Sequence, residues 1–119
     1  DIFRREKTLL HVRKQTKLLT RLLRPMTSLS HVGELRQCGL MVGIELVQDR
    51  TTRTPYPLEM RIGHRVAQAC RKGGLLMRPL GNVIALVPPL STSPQELTKM
   101  VAILHSAIVD VTEGSASPA

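Results

Sequence analysis

Leu40-Met41-Val42-Gly43-Ile44-Glu45-Leu46-Val47 is the stretch on which the fold turns. It is short, rich in β-branched residues and almost wholly apolar, so it reads as a central strand and not as a helix segment. Gly43 inside such a run suggests close approach of another backbone or of a ligand. Upstream, residues 31–37 form a second, more mixed strand, and Cys38-Gly39 punctuates the two. Downstream, residues 75–78 form a short apolar strand, 79–82 (Pro-Leu-Gly-Asn) a turn, and 83–87 (Val-Ile-Ala-Leu-Val) another strand that Pro88-Pro89 stops.

Helices separate the strand pairs. Residues 1–25 carry Leu9, Val12, Leu19, Leu22, Leu23 and Met26 at near-helical spacing, and Pro25 pushes the residue before it out of the α region. Residues 49–57 form a polar loop. Pro57 suits the first turn of a helix over 58–72 that buries Ile62, Val66, Ala69 and Cys70, with Gly73-Gly74 as its C-cap. Ser93-Pro94-Gln95-Glu96 is a capping box. It opens a helix with Leu97, Met100, Val101, Leu104, Ile108 and Val111 on one stripe. The order of elements predicts an α+β fold: a small, mostly antiparallel sheet covered by helices.

Composition sets the bounds. A chain of 119 residues supports one modest core, and with Phe3 and Tyr56 as its only aromatics that core is aliphatic. No apolar run approaches the roughly 20 residues that span a bilayer, and residues 1–7 lack the apolar stretch of a secretory signal. Cys38 and Cys70 have no metal-ligand spacing and read as reduced, packed thiols of a cytosolic protein; His11, His31, His64 and His105 are dispersed, which argues against zinc. The chain begins without Met inside a helical pattern, as a piece of something longer would. Of the net charge of +8, residues 1–25 hold +6, from eight Lys/Arg against Asp1 and Glu6. Such a helix can face nucleic acid or an anionic membrane, or be a solvated face against an acidic neighbouring domain, and the last reading is preferred. Base-stacking platforms need aromatics, and only Phe3 and Tyr56 are available, so nucleic acid is not expected as a partner; without an apolar run of spanning length, neither is a membrane.

Motif chemistry is sparse. No dinucleotide fingerprint, P-loop, nucleophile elbow or zinc-protease motif is present. Glu45 is the one acid in an apolar strand; a buried functional carboxylate is one reading, and an edge or interface position is the preferred one. Arg78 stands between residues 75–77 and a turn set by Pro79 and Gly81. There it can present a forked guanidinium to a carboxylate or phosphate. It can equally be a strand-end arginine paired with a nearby acid, and residue physics leaves both readings open.

A resemblance bears on this point. Arg36-Gln37-Cys38-Gly39-Leu40-Met41-Val42-Gly43-Ile44-Glu45-Leu46 resembles the R-x-x-G-L-M-x-G-I-E-L strand pair of the class III, fold-type-I aminotransferases, which use pyridoxal 5'-phosphate. Leu76-Met77-Arg78-Pro79-Leu80-Gly81, with Pro88-Pro89-Leu90, resembles the same family's L-x-R-P-x-G…P-P-L segment. The resemblance covers about residues 1–112 and is strongest to the biotin-pathway branch, the adenosylmethionine–8-amino-7-oxononanoate aminotransferases; residues 61–66 also look like that branch.

The resemblance implies a C-terminal small domain: residues 1–30 as interdomain helix and linker, 31–112 as the domain, and 113–119 as a disordered tail. It implies a cytoplasmic homodimer that moves an amino group from S-adenosylmethionine to 7-keto-8-aminopelargonate, giving 7,8-diaminopelargonate. Arg78 would bind the carboxylate of the keto acid, while Arg36 and Glu45 support the strand pair. Other class III transaminases, acting on ω-amino acids or diamines, share the Arg-Pro-x-Gly segment. The cofactor's lysine is not among Lys7, Lys14, Lys17, Lys72 and Lys99, all on polar helix faces or a helix end, so this chain alone is expected to hold no catalytic residue, no cofactor-binding residue and no metal. An independent ligand-sensing α+β domain is the remaining reading, and it requires the chain to fold stably by itself.

Overall fold

The computed structural model describes residues 2–114. In chain order the elements are α1 (Ile2–Leu23), β1 (Val32–Cys38), β2 (Met41–Asp49), β3 (Thr54–Pro55), α2 (Ile62–Lys72), β4 (Arg78–Leu80), β5 (Val83–Leu86) and α3 (Pro94–Val109). The sheet is antiparallel with strand order β1-β2-β5-β4, and the two-residue β3 pairs with the far end of β2. The expected α+β layer is therefore present, with β3 as an addition inside the loop assigned to 49–57.

Alternation along the strands decides which face is covered. Val42, Ile44 and Leu46 of β2 and Ile84 and Leu86 of β5 are buried. They meet Leu19 and Leu23 of α1, Ile62, Val66 and Cys70 of α2, and Leu97, Val101, Leu104 and Ile108 of α3 in one aliphatic core. Fully burying each such side chain contributes about 1.5–3 kcal/mol. All three helices thus lie on one side of the sheet. The second half of α1 belongs to this core, whereas Leu9 is 57% exposed, so the apolar stripe expected from Leu9 onward is buried only toward its end. Gln15, buried on α1, donates through Nε2 to the Thr92 carbonyl and ties the helix to the start of α3.

Both hairpins use the same device. Gly39 (φ 60) and Gly81 (φ 64) each occupy the first position of a two-residue turn, closing Cys38↔Met41 and Leu80↔Val83. A positive φ there, without one at the second position, is the type II′ geometry that matches strand twist.

The second hairpin corrects the expected strand over 75–78. Pairing begins at Arg78, runs through Pro79, and leaves only Gly81 and Asn82 in the turn. Hydrogen-bonded and non-bonded pairs alternate from the turn, which puts Pro79↔Ile84 in a non-bonded pair where the missing N–H costs nothing.

Other departures have local causes. Pro25 opens a 3-10 turn, Arg24–Ser28, directly after α1. The helix expected over 58–72 is interrupted: Leu58–Met60 is a 3-10 turn, Arg61 is left-handed (φ 48), and α2 starts at Ile62. That start lets Gly63 sit against the Gly81 turn, where an added Cβ would lie 2.3 Å from the Gly81 carbonyl oxygen. Close approach therefore belongs to Gly63; at Gly43 an added Cβ would meet nothing nearer than Val83 Cγ1 at 4.0 Å.

The remaining expectations at helix ends are met in detail. Gly73-Gly74 closes α2 as a Schellman motif, with Leu75 N–H donating to the Cys70 carbonyl (2.9 Å) and Gly74 N–H to that of Arg71 (2.9 Å). The capping box at Ser93 and Glu96 is formed in both directions. Asp110–Gly114 continues α3 as a π-helical turn, so Glu113 and Gly114, assigned to the tail, are helical; residues 115–119 lie outside the described residues. Cys70 is buried but Cys38 is exposed, correcting the picture of two packed thiols.

Two outcomes follow from the glycines. Gly63→Ala lowers the urea unfolding midpoint by the equivalent of about 1–3 kcal/mol, the usual cost of overpacking against rigid backbone, while Gly43→Ala leaves it nearly unchanged. Burial pushes the Cys70 thiol up to about 11. A thiol reagent at pH 8 therefore titrates Cys38 in the folded chain and reaches Cys70 only after denaturant is added.

Candidate functional site on the uncovered sheet face

With all helices on one side, the opposite face of the sheet carries the alternate residues. Residues directly opposite each other on antiparallel strands share a face, so the register defines rows across it. One row is Arg36, Gly43, Ala85, Arg78, and the next is Glu34, Glu45, Val83, Leu80. Beyond Arg36 and Ala85, Met41 and Val87 are exposed to 59% and 62%.

The two arginines of the first row differ in their company. Arg36 pairs with Glu34 at 3.1 Å, and Arg53 approaches Glu34 at 3.9 Å and Glu45 at 3.7 Å. The hydrogen bond from Arg36 holds the Glu34 carboxyl below the ordinary carboxylate value, and Glu34 raises Arg36 in return. These pairs are open to water and contribute little to stability. They nevertheless neutralise the β1–β2 half of the face. Glu45 is neither buried nor at a sheet edge: it sits on central β2 with a partly exposed side chain, answering Arg53.

Arg78 stands on edge strand β4, exposed, and makes no ion pair and no side-chain hydrogen bond among the described residues. The alternative of an arginine answered by a nearby acid is therefore not what the fold builds. The turn of its hairpin, by contrast, is held from three directions. Gly63 of α2 rests against the Gly81 carbonyl, Asn82 Nδ2 donates to the Tyr56 carbonyl (3.1 Å), and Leu46 N–H donates to the Asn82 carbonyl (2.8 Å). Tyr56 is itself buried, with its hydroxyl 3.1 Å from His31 Nδ1. A fixed strand carrying an uncompensated guanidinium can take a carboxylate or phosphate in a two-pronged hydrogen bond.

Sequence reasoning singles out Arg78 and Gly43 but does not bring them together. The register does so, with Ala85 between them, and Arg53 enters only through a loop conformation with φ 58. The readable signal was a small residue at the out-facing position of each central strand, Gly43 between Val42 and Ile44 and Ala85 between Ile84 and Leu86.

The same fold and hairpin occur in known proteins. A family model described as aminotransferase class-III matches residues 1–108. The chain belongs to the class-III aminotransferases. It is 49% identical over 98% of its length to the adenosylmethionine-8-amino-7-oxononanoate aminotransferase of Nitratidesulfovibrio vulgaris, covering 21% of that protein. The crystal structure of the enzyme of the same name from Methanocaldococcus jannaschii superposes with a TM-score of 0.86 at 43% identity, over 92% of this chain and 25% of that one. A PLP-bound aminotransferase mutant from Vibrio fluvialis gives 0.87 at 27% identity, over 93% and 25% of the two chains. This class-III segment thus spans about a quarter of its relatives' length.

The cofactor of the family does not fit the residues present. Lys7, Lys14, Lys17, Lys72 and Lys99 are all exposed, and none enters the Arg78 face by register. A lysine that serves as cofactor anchor is desolvated. The described residues also hold no His/Cys/Asp/Glu group that could bind a metal ion.

The Glu34–Arg36 pair makes a checkable pH contribution. A depressed carboxylate adds stability that is present above its unfolded value, near 4.5, and lost as pH falls through the folded one. In Glu34→Gln the fall in melting temperature below pH 4.5 is shallower than in the parent, with only a small difference at pH 7.

Proposed function

We propose that the whole protein is a pyridoxal 5'-phosphate-dependent aminotransferase of biotin biosynthesis. Its amino donor is S-adenosylmethionine and its acceptor 7-keto-8-aminopelargonate, which becomes 7,8-diaminopelargonate. The observation that carries this reading for the present chain is Arg78, an exposed guanidinium without an acidic partner on a hairpin held from three sides. The choice of substrate rests on relatives bearing that enzyme's name at 49% identity.

The fold does not separate this reading from other class-III transaminases, since an aminotransferase from Vibrio fluvialis superposes as well as the M. jannaschii enzyme. Sequence identity favours the first, at 43% against 27%.

In this reading Arg78 binds and orients the carboxylate of the acceptor. The pyridoxal phosphate is held by parts of the polypeptide beyond this segment, and when bound it supplies the electron sink for transamination. The protein works as a cytoplasmic homodimer. The segment corresponds to the small domain, with residues 1–30 leading into it.

The decisive experiment uses the full-length protein that carries this chain. Hydrogen bonds to charged groups contribute about 1.5–3 kcal/mol. Arg78→Ala therefore raises KM for 7-keto-8-aminopelargonate by about ten- to a hundredfold, with Arg78→Lys intermediate. An unchanged KM in Arg78→Ala would remove the assignment. The 119-residue chain alone, incubated with pyridoxal phosphate and both substrates, yields no diaminopelargonate, as checked by mass spectrometry.

A further inference from the structure

The uncovered face is unevenly furnished around Arg78. Because β4 is an edge strand, Arg78 has a single lateral neighbour in its row, Ala85, and beyond that comes Gly43. Side-chain matter returns only at Arg36, three strand spacings or about 14 Å away. The rows on either side carry bulk: Leu80 and Val83 on one, Met41 and Val87 on the other. The result is a trough of about 330 Å³ across the strands, floored by Ala85 and Gly43 and bounded at its β1 end by Arg36, Gln37 and Cys38; Arg78 stands beside Ala85 by register. The floor side chains offer no hydrogen-bond donor or acceptor. Nothing crowds the floor, as the 4.0 Å clearance above Gly43 shows.

We propose that Ala85 is a specificity-determining residue, whose single methyl keeps open the space beside Arg78 that the carboxylate and adjoining methylenes of a long-chain substrate occupy. The inference rests on the assignment of Arg78 as the carboxylate site. The chemistry is that of an aliphatic chain ending in an anion. The charge is answered at the sheet edge, and the methylenes nearest it lie over Ala85, with Leu80 and Val83 to one side and Val87 to the other. Burying methylenes there improves affinity by about fourfold each. A larger residue at 85 fills the space nearest the guanidinium. The acceptor must then stop short of it, and a homologue with fewer methylenes fits better.

The test compares Ala85→Leu and Ala85→Val with the parent in the full-length protein. The substrates are 7-keto-8-aminopelargonate and homologues shortened in the polymethylene chain. In Ala85→Leu the ratio of kcat/KM for a shortened acceptor to that for the full-length acceptor rises at least tenfold, and KM for the full-length acceptor rises while kcat changes less than about threefold. Ala85→Val gives a smaller shift in the same direction. The ratio is independent of the active fraction, so partial misfolding does not imitate the result, and if the leucine variant does not fold the valine variant decides. A ratio unchanged within twofold in both variants, or in valine alone if leucine does not fold, overturns the proposal. Arg78→Ala, run in parallel, separates the two ideas. No rise in its KM for the acceptor sinks the Arg78 assignment and this inference with it. A rise there, with an unmoved Ala85 ratio, sinks this inference alone.

Discussion

Burial of the sheet on one face only is the constraint from which the rest of the structure follows. Val42, Ile44, Leu46, Ile84 and Leu86 take every second position on two central strands, and all three helices gather over them. An antiparallel sheet tolerates this asymmetry because its other face can carry polar or small residues. That other face then becomes a platform with two arginines at the ends of one row and almost nothing between them.

Rigidity and availability are supplied by different residues. Arg78 itself is exposed on the last strand of the sheet, the position with fewest neighbours. The hairpin beneath it is held by contacts that need no functional side chain: Gly63 against Gly81, Asn82 against Tyr56, and the Leu46–Asn82 backbone bond. A guanidinium can stay uncompensated only where water still solvates it. The edge strand provides that, and the glycine contact fixes where it is. The acids on the same face are taken up by Arg36 and Arg53, so they do not reach across to Arg78.

Much of this was legible before any coordinates. The aliphatic run 40–47, the capping box at Ser93 and the Gly73-Gly74 stop each combine a local propensity with a matching tertiary role, so sequence and structure agree there. Errors arose where a distant contact overrode local preference. Pro57 suggested a helix start, yet α2 begins at Ile62, where Gly63 can meet Gly81. Leu75-Leu76-Met77 suggested a strand, yet β4 pairs from Arg78, since Gly81 fixes the turn and the turn fixes the register.

The sequence by itself determined the order of the three helices and the two strand pairs, the aliphatic core and the arginine worth singling out. It could do so because periodicity, capping and turn chemistry act over a few neighbouring residues. Only the tertiary structure decided that Arg78 lacks an acidic partner, that Arg36 has one, and that Ala85 and Gly43 lie beside Arg78. Those are facts of cross-strand register between residues up to 49 positions apart, such as Arg36 and Ala85 in one row. A single-residue slip would move them to the other face of the sheet, and no local rule fixes such a register.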